Sequence, residues 1–198
     1  MRIVALVPVK GLAQAKSRLT PPFTASERAA FMRDALTHVL GAITASGVVA
    51  RTLVVSPDET VHAQAIALGA TPLLDTAGDL NGALDLARVA ALAGSADAVL
   101  VVHADLPRLL PAEIAAIVAA LPPPPAVVFA PDHTGTGTNA LLVAPPDALP
   151  FHFGTGSFAH HRAEANARAL PYAIVRAPGV AGDVDTPDDM LSLVSSRQ

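Results

Sequence analysis

Valine-rich apolar runs of strand length alternate along the chain with alanine-rich stretches of helical period. The runs are Ile3–Val7, Thr52–Val55, Thr71–Leu74, Ala98–Val102, Ala126–Phe129, Ala140–Val143 and Tyr172–Val175. Their near-continuous hydrophobicity predicts strands covered on both faces, as in a largely parallel sheet. Between them, Ser26–Ala45 carries Phe31, Ala35, Leu36, Val39, Leu40 and Ile43 at helical spacing. A second helix runs from a cap at Asp58 or Thr60 to Leu68, closed by Gly69. Asn81–Ala93 stops at Gly94, and Pro111–Leu121 starts on a proline and ends before Pro122–Pro125. An alanine-rich stretch after Ser157 predicts another helix, and Thr186-Pro187-Asp188-Asp189 has the cap, proline and acids of a helix start. The alternation holds to about Phe129 and predicts a doubly wound α/β sheet. Beyond it two strands follow each other with no helix between, so one of them is expected to be antiparallel. Residues 121–125 are a stiff surface connection rather than a boundary, and 1–198 reads as a single domain.

Composition narrows the functional classes. Of 198 residues, 52% are hydrophobic and 15% charged, which supplies a core and excludes global disorder. The formal net charge of −4 offers no attraction to nucleic acid or an anionic membrane. Aromatic residues make up 4%, too few for base-stacking platforms. No apolar run approaches the roughly 18–20 residues that span a bilayer. There is no cysteine, which removes disulfides, thiolate metal sites and cysteine nucleophiles. The expectation is a cytoplasmic protein that binds neither nucleic acid nor membrane.

The chemistry gathers where strands end. Lys10, Lys16 and Arg18 follow the first strand, three cations in a chain with only 13. They are either a solvated basic loop or an array for a polyphosphate, lysines as point charges and arginine as a planar fork. Asp105 follows the strand ending at Val102, and is either a turn cap before Pro107 or a ligand for a divalent cation. His103 beside it fits a packed strand-end histidine better than a phosphate contact. Asp183 and Asp185 alternate along an extended segment and point to one side, where both would reach one cation. Gly135-Thr136-Gly137-Thr138-Asn139-Ala140 matches a dinucleotide fingerprint by spelling, but a strand follows it rather than a helix. It reads as a surface loop or a backbone that approaches a ligand, with Thr138 offering a hydroxyl. Gly154-Thr155-Gly156-Ser157 opens a helix with small residues, a cap or an anion cradle of free N–H groups. Asp79 or Asn81 caps the following helix, and Asn81 has donors and acceptors for a purine edge. Together these features suit metal-assisted phosphoryl or nucleotidyl transfer.

In this order, Val7-Pro8-Val9-Lys10, Ala15-Lys16-Ser17-Arg18-Leu19, Ala104-Asp105-Leu106-Pro107, the Gly135–Ala140 segment, Phe153-Gly154-x-Gly156-Ser157-Phe158 and Asp183-x-Asp185-Thr186-Pro187 resemble the 2-phospho-L-lactate guanylyltransferase family. Its bacterial members include phosphoenolpyruvate guanylyltransferases. The resemblance runs from Arg2 to Leu193. It implies a glycosyltransferase-A-like nucleotidyltransferase fold, a three-layer α/β/α sandwich on a mostly parallel, mixed seven-stranded sheet. It also implies a step in coenzyme F(420) biosynthesis, in which GTP and a phosphorylated three-carbon acid give a guanylylated acid and pyrophosphate. By similarity Asp105, Asp183 and Asp185 hold Mg²⁺, and Thr138, Gly154 and Ser157 hold the phosphoacid. Lys16, with Lys10 and Arg18, holds phosphates, and Ser56 and Asn81 are the candidates for reading guanine. The acceptor is expected to be phosphoenolpyruvate or 2-phospho-L-lactate. The alternatives are 3-phosphoglycerate, a sugar phosphate or molybdopterin, or a non-catalytic nucleotide or phosphometabolite sensor. The protein is expected to be a monomer or a homodimer.

Overall fold

The computed structural model describes residues 1–11, 23–184 and 189. Seven strands form one sheet: β1 (Ile3–Pro8), β2 (Arg51–Ser56), β3 (Thr71–Leu74), β4 (Ala98–Val102), β5 (Ala126–Pro131), β6 (Thr138–Ala144) and β7 (Tyr172–Ile174). Their spatial order is β3-β2-β1-β4-β6-β5-β7. β6 runs antiparallel to both of its neighbours, and every other pairing is parallel. The expected antiparallel strand is therefore β6, reached from β5 by a short connection that leaves no room for a crossover helix.

Alternation along the central strands divides the core in two. Ile3, Ala5 and Val7 join Ala98, Leu100 and Val102 on one face, under α1 (Ala25–Ala45), α2 (Glu59–Ala67) and α4 (Pro111–Ala119). Val4, Leu6, Val99 and Val101 face the other way, under α3 (Leu80–Ala93) and α5 (Ser157–Ala167). Both faces of the sheet are dry, which is why the strands read as unbroken apolar runs. Leu6, Leu100 and Phe129 are fully buried, and each stabilises the fold by roughly 1.5–3 kcal/mol.

Helix boundaries follow local chemistry. α1 starts one residue before the expected Ser26, because Thr24 and Glu27 form a capping box. Asp58 caps α2 through the Thr60 amide, and Asp79 caps α3 through the amides of Asn81 and Gly82. Gly94 closes α3 and Pro111 opens α4, as expected, but α4 ends at Ala119, short of Leu121. The short helix α6 (Pro178–Ala181) carries too few residues for a period and was not expected. Of the helix start expected at residues 186–189, only Asp189 is described, and it is helical. Among the described residues no helix is long and apolar enough to cross a membrane.

Strand direction places the chemistry. The carboxyl ends of β1, β2, β3, β4, β5 and β7 and the amino end of antiparallel β6 share one rim of the sheet. Ligands of open α/β sheets bind at such a rim.

Candidate active site

At the middle of the rim β4 gives way to His103, whose amide donates to the Asn139 carbonyl at 3.0 Å. The Asn139 side chain reaches the other way. Its Nδ2 donates to Asp183 Oδ1 and to the Val180 carbonyl, each at 3.0 Å. One buried asparagine thus ties the end of β4 to the segment bearing Asp183. Val184, the next residue, is buried in the core. α6 is fixed from below by Glu113, a buried carboxylate on α4. Its Oε1 accepts from the Gly179 amide at 2.8 Å and its Oε2 from the Leu110 amide at 3.0 Å. The Asp183 side chain is mostly shielded, and His133 Nδ1 lies 3.9 Å from its Oδ1. Asp105 stands two residues beyond His103, with Oδ1 shielded from solvent. The His103 ring packs on Phe153, with centroids 5.3 Å apart. Among the described residues no three metal-ligating side chains form a cluster. Asp185, the expected third acid, lies outside the described residues.

Beside this, Thr138, Gly154 and Ser157 meet around α5. Thr138 opens β6, and its hydroxyl lies 3.2 Å from His161 Nδ1. Gly154 has φ +128° and Gly156 φ +71°, a left-handed region that an L side chain adopts only with strain. Gly156 is the N-cap and Ser157 the first helical residue, so Ser157 is not the cap. The expected cradle of free amides is also reduced. The Ser157 amide donates to the Gly154 carbonyl and the Phe158 amide to the Thr136 carbonyl. What the three positions offer instead is two buried hydroxyls and a backbone bend.

The Gly135–Gly137 turn is built by Asp132. Its carboxylate accepts from the Thr134 hydroxyl at 2.9 Å and from the amides of Thr136 and Gly137 at 3.0 and 2.8 Å. Burial pushes the Asp132 carboxyl upward, but these hydrogen bonds outweigh it and hold it below the usual aspartate value. Gly137 is required here, since a Cβ would stand 2.7 Å from Asp132 Oδ2.

On the nucleotide side, Lys10 is exposed just past β1. A Cβ at Gly11 would lie 4.0 Å from Asp58 Oδ2, so this loop passes over the start of α2. Lys16 and Arg18 lie outside the described residues. The two expected guanine readers, Ser56 and Asn81, each bond a neighbouring segment. Ser56 is fully buried, and its hydroxyl accepts from the Asp58 amide at 3.1 Å. Asn81 clamps Phe153, donating to its carbonyl at 3.0 Å and accepting from its amide at 2.8 Å. Each side chain thus helps to hold the rim together.

Asn139, Glu113, Asp132 and His161 were not singled out from sequence, although Asn139 stands inside a marked motif. Asn139, Glu113 and His161 each bond another segment, and Asp132 bonds within its own turn. The one signal available was polarity within an apolar or small-residue surrounding.

The profile of the family described as "Guanylyl transferase CofC like" matches residues 1–196. A phosphoenolpyruvate guanylyltransferase of Sphaerobacter thermophilus is 44% identical over 193 residues, covering 98% of this chain and 93% of that one. One of Rubrobacter xylanophilus is 42% identical, covering 99% and 95%. A 3-phospho-D-glycerate guanylyltransferase of Colwellia psychrerythraea is 31% identical, covering 99% and 94%. In structure, a protein provisionally named a nucleotide-diphospho-sugar transferase from Desulfovibrio desulfuricans superposes with a TM-score of 0.75 at 17% identity, over 100% of this chain and 89% of that one. Glucosyl-3-phosphoglycerate synthase of Mycobacterium tuberculosis gives 0.64 at 16% identity, over 98% and 75%. These likenesses establish a glycosyltransferase-A-like nucleotidyltransferase fold.

Proposed function

The chain belongs to the CofC-like guanylyl transferase family, and we propose that it joins GMP from GTP to phosphoenolpyruvate with release of pyrophosphate. The observation that carries this reading is the meeting of two kinds of group on one rim. Asn139 bonds Asp183 and the end of β4, and Thr138, the residue before it on β6, bonds His161 of α5. The acceptor rests on the relatives at 42% and 44% identity, both named for phosphoenolpyruvate. Family membership also supports a role in coenzyme F(420) biosynthesis.

Asp105, Asp183 and Asp185 would hold Mg²⁺. Carboxylate oxygens at strand ends, in a chain without thiolates, fit a hard divalent cation. When bound, the cation supplies charge neutralisation for the triphosphate and its departing pyrophosphate. Lys10, Lys16 and Arg18 would bind GTP phosphates, and Thr138, Gly154 and Ser157 the phosphoacid. The acid's phosphate has a second pKa of about 6, so it is mostly dianionic at neutral pH and needs no general base. One of its oxygens attacks the α-phosphorus of GTP in line, forming a P–O bond as the bond to pyrophosphate breaks. The protein's task is to bring two polyanions together in register and offset their repulsion. That explains the lack of need for a nucleophilic triad.

The test is pyrophosphate release from GTP with phosphoenolpyruvate, 2-phospho-L-lactate or 3-phosphoglycerate, with mass analysis of the product. The expected product is guanylylated phosphoenolpyruvate. Turnover of 3-phosphoglycerate alone, the acid named for the 31% relative, would overturn the acceptor. Thermal stabilisation by GTP without magnesium, and no pyrophosphate with any acid, would support a sensor instead.

A further inference from the structure

His161 joins the two halves of the phosphoacid cradle. It is fully buried on α5, four residues after Ser157. Its ring lies stacked with Phe129 at 6.3 Å and edge-on to Phe153 at 4.8 Å. Nε2 stands 2.9 Å from the His152 amide, which fixes the loop two residues before Gly154. Nδ1 stands 3.2 Å from the Thr138 hydroxyl.

Donor and acceptor chemistry settles the proton positions. A backbone N–H only donates, so Nε2 carries the lone pair and the ring proton sits on Nδ1. Nδ1–H then donates to Thr138 Oγ1, and the threonine's own hydrogen must point away from the ring. Thr138 has no other hydrogen-bond partner for its hydroxyl among the described residues. We propose that His161 is a positioning residue: its neutral Nδ1–H tautomer turns the Thr138 hydroxyl into a fixed donor for an anionic oxygen of the phosphoacid, and its Nε2 sets the Gly154 loop against it. The inference rests on the reading of Thr138 as a phosphoacid contact. Burial, with added repulsion from His152, His160 and His103, brings the imidazolium pKa down to about 3, consistent with a ring that stays neutral through the working range.

Nitrogen-15 NMR of the intact wild-type protein tests the tautomer directly. A neutral Nδ1–H ring between pH 5 and 8, with an Nδ1 resonance that moves on adding phosphoenolpyruvate, is the expected result. An Nε2–H tautomer or a protonated ring at pH 7 would overturn the proposal. Kinetics test the consequence. His161→Phe, which keeps the ring and removes both nitrogens, is expected to raise KM for phosphoenolpyruvate about 10- to 100-fold, the range for losing a hydrogen bond to a charged group. KM for GTP should stay within about twofold. His161→Asn, whose amide can stand where Nδ1–H stood, should recover part of that loss. Thr138→Val should raise the same KM, and the double variant with His161→Phe should lose less than the two single losses combined, the remainder being the loop that Nε2 holds. Additive losses, or an unchanged KM in His161→Phe, would overturn the positioning role and leave the Thr138 reading standing. An unchanged KM in Thr138→Val would overturn both. If the Phe variant does not fold, the wild-type spectrum still decides the proposal.

Discussion

Replacing Asn139 by alanine tests whether the rim is held as described. The residue is 3% exposed and Nδ2 makes two bonds, one to a neutral carbonyl and one to a carboxylate. A neutral hydrogen bond contributes about 1 kcal/mol net and one to a charged group about 1.5–3 kcal/mol, so Asn139→Ala should cost about 2.5–4 kcal/mol. Domains of this size are stable by roughly 5–15 kcal/mol, so the variant should remain folded. At about 2–4 °C per kcal/mol, Tm should fall by roughly 5–15 °C. The effect should not be stability alone, because Asp183 loses the donor that orients it. The magnesium concentration for half-maximal pyrophosphate release should rise at least about fivefold. Leu36→Ala is the control. Leu36 is fully buried on α1, and its truncation should cost a comparable 2–5 kcal/mol or so without moving the magnesium requirement. A Tm drop below about 2 °C would refute the two-bond geometry. A full Tm drop with an unmoved magnesium requirement would refute Asp183 as a ligand.

Asp105→Asn, assayed at saturating magnesium, should lower kcat by roughly two orders of magnitude or more, the scale of losing one strong electrostatic contact; an unimpaired variant removes Asp105 from the ligand set. Asp132→Asn should be less stable than the parent at neutral pH. Because the folded Asp132 carboxyl titrates below its unfolded value of about 3.9, its contribution is full above that pH and fades as pH falls through the folded pKa, so the Tm gap should close in acid below about pH 4. A gap that persists unchanged at pH 2 would contradict the hydrogen-bond account of that turn. A Cβ at Gly179 would overlap the Glu113 carboxylate and the Arg108 carbonyl. Gly179→Ala should therefore destabilise by about 1–3 kcal/mol, and a Tm within about 1 °C of the parent would show that α6 is not clamped there.

Legibility along this chain followed the range of the interaction. The strands were legible because burial on both faces leaves no polar interruption, as in the Ala98–Val102 run. The caps were legible because their partners are two or three residues away. Asp58 bonds the Thr60 amide and Asp79 the amides of Asn81 and Gly82. The bonds of Ser56 and Asn81 were less legible. Part of their hydrogen-bonding capacity goes to Asp58 and Phe153, which nothing in the local sequence announces. The amides at the start of α5 are reduced in the same way, two of them being taken by Gly154 and Thr136 carbonyls. A sequence displays which groups a residue carries and not which of them folding consumes.

The residues missed altogether share a physical role. Asn139, Glu113 and His161 are buried polar groups, each with at least one partner 9 to 66 positions away. Leaving any of them unpaired in the core would cost more than the bond contributes. Each therefore specifies one arrangement of the loop it touches: Glu113 holds α6, Asn139 holds Asp183 against β4, and His161 holds the Gly154 loop against Thr138. A reaction that works by positioning two mutually repelling anions needs such fixed supports more than it needs an unusually reactive side chain. Substitutions at these supports should therefore act through KM and metal requirement, whereas loss of Asp105 should act on kcat.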